Sequence, residues 1–141
     1  MIIQKIPFIS FGMGIPDNKN LGKSRKAFFG YKNQLKTLFK KGKLPSVQFD
    51  LMGSRLTKKN VTLDHVIPKS KGGPSVTGNF MLATAEFNHL RGNRPLSDFF
   101  MNENLRKYLD QFLGIRVESF SGDEYISKLL STLERARELG V

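Results

Sequence analysis

A chain of 141 residues, 39% apolar and 25% charged with the two classes interspersed, has the size and make-up of one globular domain. The absence of cysteine excludes disulfide scaffolds, thiolate zinc sites, iron–sulfur clusters and cysteine nucleophiles, and no apolar run approaches the ~18 residues of a membrane span. The formal net charge of +11 is uneven, at +8 over residues 1–50, +5 over 51–96 and −2 over 97–141, so the surplus points to a polyanion-binding face in the first two-thirds.

In chain order, residues 1–59 read as a basic N-terminal segment. Gly, Pro and Asn punctuate its first 23 residues, which leaves room for a short strand around Ile2–Phe11 and a loop over Gly12–Gly22. The start carries neither a basic n-region nor an uninterrupted apolar stretch, so no secretory leader is expected and the cytoplasm is the expected location. From Ser24, a suitable N-cap, Phe28, Tyr31, Leu35, Leu38 and Phe39 fall on one helical face, and Lys40-Lys41-Gly42 supplies a stop. The spacing predicts a helix over 24–41. Its Lys26, Lys32, Lys36 and Lys40 form either a solvated face or a stripe that tracks phosphates. After Pro45, Val47–Leu51 alternates like a short strand.

Residues 60–95 carry a different pattern. Asn60–Ile67 is rich in β-branched residues and predicts a strand; Pro68 to Pro74 must be a loop; Asn79–Ala83 returns as a second strand. Thr84 can cap a short helix through Leu90, stopped by Gly92 and Pro95. Residues 96–141 then predict two helices. Ser97–Leu113 buries Leu105, Tyr108, Leu109 and Phe112, with Phe100 beside them, and Ser121-Gly122-Asp123-Glu124 is a capping box opening a last helix with Tyr125, Leu129, Leu133 and Ala136 inward. The fold class expected is α+β, in a small single domain.

The chemistry lies between residues 63 and 94. Both histidines of the chain, His65 and His89, fall there, and His65 follows Asp64 in the predicted central strand. Alone, Asp-His reads first as a structural hydrogen-bonded pair. Asn88 and Arg91, however, are spaced i, i+3 on the short helix and share a face. Asp64 and Asn88 offer hard oxygen donors suited to Mg²⁺ or Mn²⁺, and a neutral imidazole beside such a metal is a natural base for deprotonating water. Strand carboxylate, strand base, helix amide and helix cation together make a minimal kit for cutting a phosphodiester.

The blocks Leu63-Asp64-His65-Val66-Ile67-Pro68 to Gly72-Gly73, Gly78-Asn79-Phe80-Met81-Leu82 and Asn88-His89-Leu90-Arg91-Gly92-Asn93-Arg94 resemble, in order and spacing, the signature of the HNH endonucleases, over about 35 residues. The resemblance implies a ββα-metal core flanked by helices, with Asp64 and Asn88 as ligands of one divalent cation, Mg²⁺, Mn²⁺ or another. It implies His65 as general base, Asn79 as a mainly structural residue that pins the loop and so orients His65, and Arg91, with Arg94, on a phosphate. The family spacing selects Asn88 over His89, and neighbouring helix positions ~100° apart do not readily face one metal together. His89 is therefore read as a surface or packing residue.

The chain departs from many family members in lacking two Cys pairs around the motif, so no structural zinc is expected. Phe87 takes a usual Cys position and is expected to pack with Phe49 or Leu51. The reading is a metal-dependent nuclease of phage or mobile-element type whose partner is DNA, with no membrane. Lys69 and Lys71 on the loop, Lys58 and Lys59 before the first strand, and Arg94 after the helix are the expected phosphate contacts. The alternatives are an inactive nucleic-acid-binding module and a basic subunit of a phage or mobile-element assembly.

Overall fold

The β-branched run at Val61–His65 forms strand β1, and Phe80–Thr84 returns beside it as β2. The structure, a computed structural model, describes residues 34–98 and 102–141. The strands are antiparallel, with Val61 opposite Thr84 and His65 opposite Phe80. All five β2 residues are buried, whereas β1 is only partly so. The architecture is small mixed α+β, with four α-helices and two small antiparallel sheets among the described residues.

A two-stranded hairpin leaves alternate backbone groups of each strand pointing away from the partner. Val66 N–H donates to Asn79 O and Ala85 N–H to Asn60 O, so the same alternation turns the backbone groups of Phe80, Leu82 and Thr84 outward. Three side chains meet them. Tyr125 Oη donates to Phe80 O at 2.6 Å, Leu82 N–H donates to Tyr108 Oη at 2.9 Å, and Thr84 N–H donates to Asp50 Oδ2 at 3.1 Å. Because Tyr125 spends its proton on Phe80, Tyr108 is the donor in the 3.0 Å bond between the two hydroxyls. Burial holds both phenols above their ordinary pKa, so they stay protonated donors.

The helices exist in these places to deliver those groups. Residues 34–40 form α1, which sends Leu35 and Leu38 into the core. Helix α2, Ala85–Arg91, starts where Thr84 Oγ1 accepts the Phe87 N–H at 3.1 Å. Helix α3, Asn102–Asp110, carries Tyr108, and α4, Gly122–Leu139, carries Tyr125. Ser121 caps α4 by accepting the Glu124 N–H, as the capping box predicts. A Cβ on Gly122 would lie 1.8 Å from Phe112 O, so only glycine lets α4 start against that carbonyl. Tyr108, Phe112, Phe120 and Tyr125 form one aromatic cluster there.

Several expectations are corrected. Val47–Leu51 is no strand: only Phe49 and Arg55 make a bridge, because Asp50 Oδ1 accepts the Met52 and Ser54 N–H groups and closes a turn. Phe49 faces solvent, while Leu51 and Phe87 belong to the core. The helix expected over Ser97–Leu113 is a 3₁₀ turn at Leu96–Asp98 followed by α3, which ends at Asp110. A short hairpin, β3 (Arg116–Val117) and β4 (Phe120–Ser121), links α3 to α4 and was too brief to leave a pattern. The Ile2–Phe11 strand, the Gly12–Gly22 loop, the first ten residues of the 24–41 helix and Phe100 lie outside the described residues.

If the tyrosine pair satisfies the β2 edge, Tyr125→Phe strands Phe80 O in the core. Stability should fall by about 1–3 kcal/mol, the usual cost of a buried unpaired group. Urea denaturation checks this, and an unchanged midpoint would mean the edge is satisfied otherwise.

Candidate functional site

The end of the hairpin at His65 and Phe80 is shaped by the connection over residues 66–79. It contains 3₁₀ turns at Lys69–Lys71 and Thr77–Asn79. Asn79, buried, locks it: Oδ1 accepts the Ile67 N–H at 2.9 Å, and Nδ2 donates to Ile67 O at 3.0 Å and Pro74 O at 2.8 Å. Gly73 closes the neck, since a Cβ there would lie 1.8 Å from Ile67 O. The locked loop brings Ser75 Oγ to 3.3 Å from His65 Nε2, and the His65 ring stands edge-on to Phe80 with centroids 4.5 Å apart. The imidazole is thus fixed by the loop on one side and β2 on the other.

Helix α2 lies along the outer edge of β1. Asn88 Nδ2 donates to Thr62 Oγ1 at 3.2 Å and, more weakly, to Leu63 O at 3.4 Å, which orients the amide. One turn later Arg91 is 2% exposed. Its Nη1 donates to both oxygens of Asp64 and to His65 O, each at 2.9 Å; Nη2 donates to Val66 O at 3.0 Å and Nε to Arg94 O at 2.9 Å. The guanidinium therefore ties carboxylate, strand end and helix exit into one knot. Burial raises the Asp64 pKa above the ordinary carboxylate value, while the charge and hydrogen bonds of Arg91 pull it back down.

These elements enclose an open cleft of about 340 Å³. Of the residues expected in the site, Asp64 and His65 from β1, Lys69 from the loop, and Asn88 and Arg91 from α2 line it. Asn79 sits behind it. Lys71 shares the Lys69 turn and is exposed; Arg94, also exposed, lies 3.8 Å from Asp98. Lys58 and Lys59 are exposed in the turn before β1, at the opposite end of the strand from the cleft. His89 is exposed and does not line the cleft.

Arg91, expected on a phosphate, is a buried guanidinium whose Nε, Nη1 and Nη2 all donate to protein oxygens, which makes it a latch on Asp64. The i, i+3 spacing from Asn88 is right, but both side chains turn to the β1 edge. The sequence also left two contributors unread. Asp50, with Gly53 three residues on at φ +81°, carried the turn signal that would have found it. Ser75 carried none.

Among the described residues no three of His, Cys, Asp and Glu cluster as a metal cage. A metal here would rest on Asp64 and the Asn88 amide oxygen, with other ligands from water or substrate. That pair fits a hard cation: the orientation of the Asn88 amide leaves Oδ1 for it, and each Asp64 oxygen keeps a second lone pair beside its Arg91 bond. Comparison with protein-family models, curated proteins and solved structures finds no match to this chain.

Removing Arg91 should leave a buried carboxylate alone. Arg91→Met is expected to cost about 3–5 kcal/mol, against about 0.5 kcal/mol or less for the exposed Arg94→Met. Equal denaturation midpoints for the two variants would refute the latch.

Proposed function

We propose that this chain is a divalent-metal-dependent endonuclease of the HNH type that hydrolyses DNA phosphodiester bonds. The observation that carries the reading is the convergence of Asp64, His65, Asn88 and Lys69 on one open cleft between strand β1, the loop that follows it and helix α2. The resemblance of the three sequence blocks to the family supports it, as does the +11 charge.

In this reading Asp64 and Asn88 hold Mg²⁺ or Mn²⁺, which when bound stabilises charge on the scissile phosphate and on the leaving 3′ oxygen. His65 takes a proton from the attacking water, its ring held beside Ser75 Oγ and Phe80. The water oxygen bonds to phosphorus as the bond to the 3′ oxygen breaks, and the leaving 3′ oxygen takes a proton from solvent water, which yields a 5′-phosphate and a 3′-hydroxyl. Lys69 on the cleft rim and Lys71 beside it attract the phosphate backbone. Arg91 acts at one remove: it favours the charged form of Asp64 against the burial that opposes it, and fixes the carbonyl of His65.

A second reading, a nucleic-acid-binding module without cleavage, is favoured by one observation, that Arg91 Nη1 already engages both Asp64 oxygens. Supercoiled plasmid separates the two. The expected outcome is nicking or cleavage with Mg²⁺ or Mn²⁺ that EDTA abolishes, and a rate ~10²–10⁴ lower for His65→Ala. A variant that cuts as fast as wild type removes His65 from the mechanism, and no cutting under any condition favours the binding module.

Calorimetric titration with Mn²⁺ assigns the ligands. Asn88→Ala should weaken binding and His89→Ala should not, since only Asn88 lines the cleft. The reverse result would move the metal to the other helix position.

A further inference from the structure

The turn between α1 and β1 presents a surface that the cleft does not use. Phe49 and Met52 are 41% and 42% exposed, on a backbone that is firmly held. Gln111 Oε1 accepts the Gln48 and Phe49 N–H groups at 2.8 and 2.9 Å, and its Nε2 donates to Phe49 O at 2.9 Å. Asp50 closes the turn from within. The Arg55 guanidinium stands 6.0 Å from the Phe49 ring centroid, and Lys58 and Lys59 are exposed just beyond. The one acid between residues 48 and 60 is Asp50, which is buried and fully engaged.

A firmly held, exposed aromatic ring with a guanidinium beside it and two exposed lysines a few residues on has the make-up of a base-stacking platform. Its place is also fixed. Asp50 Oδ2 bonds Thr84, which stands opposite Val61, so the platform lies at the far end of the hairpin from His65. Four steps of about 3.3 Å along β1 make ~13 Å, the length of about four base pairs.

We propose that the Phe49–Met52–Arg55 turn is a second DNA contact, on which an unpaired base stacks against Phe49 while Arg55, Lys58 and Lys59 neutralise the adjoining phosphates. This rests on the reading of the chain as a DNA nuclease and adds to it a preference for substrates with a single-stranded segment near the cleavage point.

The chain has no tryptophan, so Phe49→Trp places a lone reporter on the platform, and Leu139→Trp, on exposed helix near the end of α4, is the control. Each full-length variant is titrated in EDTA, which suppresses cleavage, with an oligothymidine strand and with a blunt duplex of equal length. The expected result is fluorescence quenching of Phe49→Trp by the single strand, much less by the duplex, and none for Leu139→Trp. By anisotropy, Phe49→Ala should bind the single strand about five- to 100-fold more weakly than wild type, the loss of one stacked base. If wild type binds DNA but Phe49→Trp is not quenched and Phe49→Ala binds as tightly, the platform is overturned and the nuclease reading stands. If wild type binds neither DNA, both fall together.

Discussion

A hairpin of two five-residue strands has a bare edge on each side, and each edge carries backbone donors and acceptors that are costly to bury unpaired. In this protein side chains complete both edges. Tyr125, Tyr108 and Asp50 satisfy β2; Asn88 and Arg91 satisfy β1. Those five side chains come from α4, α3, the turn before β1, and α2. The placement of α2, α3 and α4 thus follows from the need to close a sheet too small to close itself. It also explains why a chain without cysteine holds this shape: the Asp50–Thr84 bonds tie the preceding turn to the start of α2.

The same economy shapes the site. Arg91 completes the edge of β1 and is also the counter-charge of Asp64, so the carboxylate proposed to meet a metal is buried in the framework that supports the strand. A buried ion pair contributes little net stability over apolar packing, but breaking it is expensive. Its value here is positional, because it fixes carboxylate, strand end and helix exit in one geometry. Asn79 does the corresponding work across the loop, holding Ile67 and Pro74 so that Ser75 arrives beside His65. The proposed nuclease site is therefore made of groups on strand β1, the loop and helix α2, with Arg91 and Asn79 as its anchors to the backbone.

The basic surface divides along the hairpin. Lys69 and Lys71 stand at the cleft end, while Arg55, beside Phe49, and the exposed Lys58 and Lys59 stand toward the other. Among the described residues, two basic zones separated by the length of one short strand match the proposal of an extended polyanion lying along the hairpin with one end at the proposed catalytic cleft.

The sequence by itself determined the elements whose signals are local. The β-branched run at Val61–His65, Thr84 and Ser121 as caps, and the Leu35–Leu38 helical face were readable because backbone preference and burial act within a few residues. The set Asp64, His65, Asn79 and Asn88 was legible as a spaced pattern; Asp64, His65 and Asn88 line one opening, and Asn79 sits behind it in the loop. What the pattern could not supply was the direction of each side chain. Whether Arg91 reaches out or folds back onto Asp64, and whether Asp50 belongs to a strand or ties a turn to Thr84, depends on which buried polar groups lack partners once the helices have packed. Only the tertiary structure decides that, because the partners are 27 and 34 residues away in the chain and meet only when the core has formed.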